Sequence, residues 1–319
     1  MKKFLPIVAL LILTFLSCTE PPRDNPLDPL SPEYRGCVFR GRVLRLYNNA
    51  PIEGILVQTD SRFCFTDGNG SFTFDRLLPG GHNFIFDGEG YMPETLVVTL
   101  KSDLDTTLRL DALPLFEEAS LYTIHVRSPS QGGDRYELGL RAKVTDPDGM
   151  PDVSGVRAIF NSETLSLRFS DGIYGFIMTD DMFPGGDIRA LEGVPFRFEA
   201  IDQQGALSRS RDLYILRIVE DAPWPISPAN GDSVEYPVIL LWDSGELPFP
   251  YHFRIEVYRI IPGMPEMRVF VVDSIPADQQ ELRLTVHFVP GYYFWTVWYV
   301  DEFGNMSRSK EALFHVTEQ

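Results

Sequence analysis

Asp146-Pro147-Asp148-Gly149-Met150-Pro151-Asp152 spaces three carboxylates along one loop, and Asp202 closes a later apolar segment that could return beside it. Carboxylate oxygens are the natural donors of a hard cation, and Ca2+ gathers six to eight of them. Neither acidic loop is an EF-hand, which requires Gly at its sixth position: counting from Asp146 reaches Pro151, and counting from Asp67 reaches Phe72. Asp-Gly and Asn-Gly are also ordinary turn formers, so a loop that holds no ion is the competing reading. The expectation is no required cofactor, with calcium the single candidate and Asp146, Asp148, Asp152 and Asp202 its ligands.

Other chemistry finds few residues. His82, His125, His252, His287 and His315 are scattered, none at metal-ligand spacing from another. The sequence has no G-x-S-x-G elbow, H-E-x-x-H, phosphate loop or dinucleotide fingerprint. Gly231-Asp232-Ser233 is similar to the nucleophile block of GDSL-type hydrolases, but their late Asp-x-x-His pair is missing. The chain therefore reads as a non-enzyme.

Charge narrows the partners. The formal charge is −17, and becomes −19 once Lys2 and Lys3 leave with a cleaved signal. With no Lys/Arg run, nothing draws the chain to nucleic acid. A hydrophobic share of 44% can fill a core, and 25 Gly with 25 Pro imply many turns.

Lys2 and Lys3 precede the apolar run Phe4 to Leu16, too short to span a bilayer comfortably and suited to a signal peptide. The run ends in Phe15-Leu16-Ser17-Cys18, which resembles the lipobox of bacterial lipoproteins, although Phe15 and Leu16 depart from the usual Leu and small residue. That resemblance implies acylation of Cys18 and anchoring to a membrane; an ordinary cleaved signal is the alternative. Cys18 is followed by Thr19 and then Glu20, so the Asp that retains some lipoproteins in the inner membrane is missing from the second position, and the outer membrane of a bacterial cell envelope is the expected location. The following stretch, to Arg35, has five prolines and reads as an extended tether of roughly 50 Å. Cys37 and Cys64 remain, either a disulfide or two buried thiols on separate strands.

Beyond the tether, segments are short, alternating and bounded by turn residues, and none carries a long helical period. The fold class expected is all-β: three tandem β-sandwiches over 36–114, 121–220 and 223–319, after a signal peptide (1–17) and a lipidated tether (18–35). Asp67-Gly68-Asn69-Gly70 reads as a hairpin turn and Leu78-Pro79-Gly80-Gly81 as the next reversal. With Gly41, Val43, Pro51, Gly54, Val57, Phe72 and Gly90-Tyr91, they make the first segment resemble a carboxypeptidase regulatory-like domain, a transthyretin-like sandwich that implies a fold and no activity. In the second, Tyr136, Leu138, Leu140, Ala142 and Val144 share a face, and the pattern is similar to bacterial immunoglobulin-like domains. The third resembles a fibronectin type III domain, with Val238, Leu240, Trp242, Tyr293, Trp295 and Val297 pointing inward.

Strand alternation then turns Tyr292, Phe294 and Trp298 outward, where a sandwich normally carries polar groups. They are the candidate ligand contacts. The function expected is a binding, adhesion or scaffold module of the envelope, attached to the membrane by its lipid and contacting an envelope protein or glycan. The alternative is an accessory glycan-binding protein of a polysaccharide capture or degradation system.

Overall fold

The computed structural model of the chain describes residues 25–317, apart from 27, 29, 32, 61 and 128–132. Cys18, the signal peptide and much of the tether lie outside the described residues. The fold is all-β, in two units that divide between Ala112 and Leu113.

Unit 1 holds β1 (Cys37–Arg45), β2 (Leu56–Thr59), β3 (Arg62–Phe65), β4 (Ser71–Leu77), β5 (Gly80–Asp87), β6 (Glu94–Leu100) and β7 (Leu104–Leu110). One sheet runs β4-β1-β7 and the other β3-β2-β5-β6, with β1 and β7 parallel. Alternation sends Phe39 and Val43 of β1 and Phe72 and Phe74 of β4 into a core shared with Val57, Phe84 and Phe86. Phe39 meets Phe84 across it at 4.2 Å between ring centres. The turn at Asp67–Gly70 forms, closed by Gly70 N–H to Asp67 O at 2.8 Å. It does not make the expected hairpin: β3 and β4 belong to different sheets, so the turn carries the chain across the sandwich.

Cys37 lies on β1 and Cys64 on β3, again in different sheets, and both are free thiols. The structure holds them unbridged, as in the two-thiol reading, with Cys37 buried and Cys64 half-buried. Burial pushes the Cys64 thiol above its ordinary pKa. Reductant should therefore leave the unfolding midpoint unchanged, and both thiols should react with a thiol reagent fully only after denaturation. A midpoint that falls on reduction would contradict the assignment.

Unit 2 begins with β8 (Leu115–Val126), β9 (Arg135–Thr145), β10 (Val153–Phe160), β11 (Glu163–Ser170), β12 (Ile173–Met178), β13 (Arg197–Asp202) and β14 (Leu207–Arg209). Strand β11 pairs β10 on one side and β12 on the other, folding the sheet around its own core. Leu138, Leu140, Ala142 and Val144 of β9 enter that core opposite Val156, Ala158, Phe198 and Ala200. Residues 115–120, which fall between the first two sandwiches expected from the sequence, are strand: β8 pairs β9 from Leu115 onward, and Phe116 and Ala119 pack on this core.

The rest of unit 2 comprises β15 (Trp224–Ser227), β16 (Asp232–Val234), β17 (Ile239–Asp243), β18 (Tyr251–Ile260), β19 (Met267–Ile275), β20 (Glu281–Arg283), β21 (Gly291–Asp301), β22 (Met306–Arg308) and β23 (Ala312–Val316). Val238, Leu240 and Trp242 pack with Tyr293, Trp295 and Val297 as the alternation predicts. Trp295 Nε1 donates to Pro228 O at 2.8 Å, satisfying the indole inside the core.

The two cores of unit 2 are joined by backbone. Met306, Ser307 and Arg308 of β22 pair in parallel with Ile124, His125 and Val126 of β8, so one sheet runs through both halves. Asn305 Oδ1 accepts from Thr123 N at 2.8 Å, and Thr123 Oγ1 donates to Arg217 O at 2.9 Å. Arg217 in turn donates to buried Asp301 at 2.7 Å.

Candidate metal centre and contact surfaces

The acidic loop joins β9 to β10. Asp146 caps it with both backbone and side chain: Gly149 N–H donates to Asp146 O at 2.9 Å and Asp148 N–H to Asp146 Oδ1 at 2.8 Å. A 3-10 turn over Met150–Asp152 then leads into β10. Val153 pairs with Asp202 across β10 and β13, and this register brings the second acidic segment beside the first. Asp202 Oδ1 accepts from Gln204 N at 2.9 Å and Ala206 N at 2.8 Å, closing its own turn.

Carboxylate oxygens of Asp146, Asp152 and Asp202 lie within 4.8 Å of one another, and all three residues are buried. Of the four acidic residues read from the sequence, Asp148 is half-buried and serves the loop through its amide. Burial, reinforced by the charges of Asp152, Asp148 and Asp202, pushes the Asp146 carboxyl up to about 6. Among the described residues, the groups able to hold a metal consist of carboxylates alone, with no histidine.

The histidines have other partners. His125 is buried on β8, with Nδ1 2.9 Å from Ser307 Oγ, Nε2 3.1 Å from Asp134 Oδ2, and its ring stacked on Tyr136. The order Ser-His-carboxylate is that of a hydrolase triad, but Ser307 is fully buried and faces no substrate space. This cluster ties β22 to β8. His252 contacts Asp273 at 2.9 Å, His287 stacks on Tyr236, and His315 lies against Tyr292. Asp232 Oδ2 accepts from Ala229 N at 2.9 Å, so Gly231-Asp232-Ser233 builds the turn before β16.

Tyr292, Phe294 and Trp298 do share the outer face of β21, but they do not form an exposed trio. Tyr292 is 56% exposed, whereas Phe294 is only 5% exposed and stacks on Tyr258 of β18 at 4.8 Å. Trp298 is half-buried, its Nε1 donating to Thr296 Oγ1 at 3.1 Å and Arg308 lying over its ring. Glu256, also buried on this face, gathers Arg254, Arg268 and Tyr258. The face is paved by its own side chains, which corrects the expectation of an aromatic platform there.

An apolar face that sequence reading missed lies on the second sheet of unit 1. Phe63 and Phe65 of β3 stand outward on either side of Cys64, and both are exposed. Cross-strand pairing extends the surface from Phe63 through Gln58 to Ile85, and from Asn83 to Val97, which is 73% exposed. The signal was present in Arg62-Phe63-Cys64-Phe65: if Cys64 faces the core, both aromatics must face solvent.

No protein-family model matches the chain, and no curated protein matches it. Among solved structures, a DUF3823 family protein from Bacteroides ovatus aligns over 56% of this chain and 99% of its own, at 10% identity and a TM-score of 0.26. The major pilin subunit BcpA of Bacillus cereus aligns over 85% and 91%, at 8% identity and a TM-score of 0.31. The fibronectin(III)-like modules of Clostridium thermocellum CbhA align over 65% and 94%, at 11% identity and a TM-score of 0.29. Likeness at this level bears on neither ligand nor activity.

Proposed function

We propose that this chain is a non-enzymatic scaffold or binding module of the bacterial cell envelope, held to the outer membrane by a lipid on Cys18 and engaging an envelope protein. The observation that carries this reading is the exposed face of Phe63, Phe65, Ile85 and Val97. The outer face of an antiparallel sheet is normally polar, and several large exposed apolar side chains gathered on one such face, here interspersed with Gln58 and Asn83, mark a contact site. Phe63 and Phe65 meet edge-on, 6.0 Å apart at 79°. Rings crossed in this way offer no common plane for stacking on sugars, but they suit the irregular apolar side chains of a protein.

The test uses the full lipidated chain with a photoreactive residue at position 97. In envelope preparations it should give a discrete protein adduct, and Phe63→Ser with Phe65→Ser should reduce that adduct roughly ten-fold while leaving the chain folded and membrane-bound. A Cys18→Ala companion should appear in the soluble fraction. Retention on envelope glycans without a protein adduct would overturn the partner reading, and a Cys18→Ala chain that stays with the membrane would overturn the anchor.

A further inference from the structure

We propose that Asp146, Asp152 and Asp202 form a Ca2+ site that locks the β9–β10 loop to the end of β13. Acidic clusters alone are common, but the disposition of individual oxygens here is not that of a solvated cluster. Asp146 is 8% exposed and Asp202 2% exposed. Each has one oxygen, Oδ1, held by backbone amides, which fixes the direction of the carboxylate. The other oxygen, Oδ2, is buried in both residues and has no hydrogen-bond donor. A buried, ionised oxygen without a donor is costly, because the charge has lost water and gained nothing in return. With carboxylate oxygens of Asp146, Asp152 and Asp202 within 4.8 Å of one another and all three residues buried, the arrangement is one that a cation would complete.

The donor set selects the ion. Oxygen donors without nitrogen or sulfur favour a hard cation over zinc or copper. Oxygens that each lie about 2.3–2.6 Å from one Ca2+ are separated by at most about 5 Å, which accommodates the observed spacing. Mg2+ demands closer, near-octahedral donors at about 2.0–2.1 Å, whereas Ca2+ accepts irregular coordination completed by loop carbonyls and water. Fixing Asp146 and Asp202 in advance through the backbone amides of Asp148, Gln204 and Ala206 reduces the ordering that binding requires. The site lies within unit 2 and stands or falls separately from the proposed contact surface on unit 1.

The experiment is thermal unfolding of the full chain, stripped of metal, at pH 7.5, with 10 mM CaCl2 or MgCl2, alongside 45Ca2+ equilibrium dialysis. For a dissociation constant of about 10⁻⁴–10⁻³ M, as in extracellular calcium modules, Ca2+ should raise the midpoint of unit 2 by about 3–8 °C. Dialysis should give one saturable ion per chain. Asp202→Asn keeps the Oδ1 acceptor for Gln204 and Ala206 while removing the charge, so it should weaken Ca2+ binding ten-fold or more. Without metal it should unfold no earlier than the wild type, because one buried charge has been removed. Absence of both saturable binding and a Ca2+-dependent shift in the folded wild type overturns the site. An equal response to Mg2+ overturns the choice of ion, and full Ca2+ affinity in Asp202→Asn overturns the ligand assignment.

Discussion

An Asp301→Ala chain should unfold about 10 °C below the wild type, a loss of about 3–5 kcal/mol. Asp301 is fully buried in its side chain and makes four distinct connections. Oδ1 accepts from Phe303 N at 2.9 Å and Asn305 N at 2.8 Å, closing the turn between β21 and β22. Oδ2 accepts from Asn305 Nδ2 at 3.0 Å and Arg217 Nη1 at 2.7 Å. Asn305 thereby holds its own oxygen against Thr123, which returns to the backbone of Arg217. Removing the carboxylate leaves an amide donor of Asn305 and a guanidinium donor without that acceptor, although Glu302 still pairs with Arg217. Because the ring spans both cores, the wild type should unfold unit 2 in a single transition, with amide hydrogen exchange across β8 to β14 coinciding with the fluorescence of the four tryptophans, all of which lie beyond residue 220. Asp301→Asn retains one acceptor for the turn and should fall between the two. A loss below about 1 kcal/mol in Asp301→Ala, the scale of an ordinary exposed ion pair, would show that the ring is incidental.

The elements of this fold were legible in the sequence because a strand announces itself through its own alternation. Leu138 to Val144 and Tyr293 to Val297 declare their buried faces without reference to anything distant. The acidic loop was legible for the same local reason, and Asp202 stood out as the carboxylate ending an apolar strand. What closes the site is the Val153–Asp202 pairing, a relation between segments about fifty residues apart that no local period encodes. The join between β22 and β8 is illegible for a stronger reason: Met306-Ser307-Arg308 is three residues long and has no period of its own. Phe294 shows a different limit. Alternation states which side of a sheet a residue faces, and here it is right, but whether that side is open depends on the side chains of Tyr258 and Glu256 on the neighbouring strand. Phe63 and Phe65 illustrate the converse, since nothing in unit 1 is described as covering them and their outward direction leaves them bare.

Gly70→Ala should destabilise unit 1 by about 3–5 kcal/mol, a large fraction of the roughly 5–15 kcal/mol typical of a domain. Two independent effects act at this position. Gly70 has φ +71°, where an Ala costs roughly 1–2 kcal/mol by itself. Its Cβ would also stand 2.4 Å from Val43 O. That oxygen cannot move away cheaply: it accepts from Ile52 N at 3.0 Å, Val43 N donates to Gly70 O at 2.8 Å, and Val43 is wholly buried on the central strand β1. Relieving the contact means shifting β1 against a close-packed core, with Phe39 and Phe72 on either side. Gly68 sits two residues earlier in the same turn and provides the control. It has no positive φ, and a Cβ there would meet only Glu53 Oε2 at 3.8 Å, so Gly68→Ala should change stability by less than about 0.5 kcal/mol. Unit 1 contains no tryptophan, so the measurement is amide hydrogen exchange across β1 to β7 rather than fluorescence. Faster exchange throughout these strands in Gly70→Ala, and unchanged exchange in Gly68→Ala, is the expected result. Equal behaviour of the two variants would mean that the turn yields to a side chain and that β1 is not held as tightly as its hydrogen bonds imply.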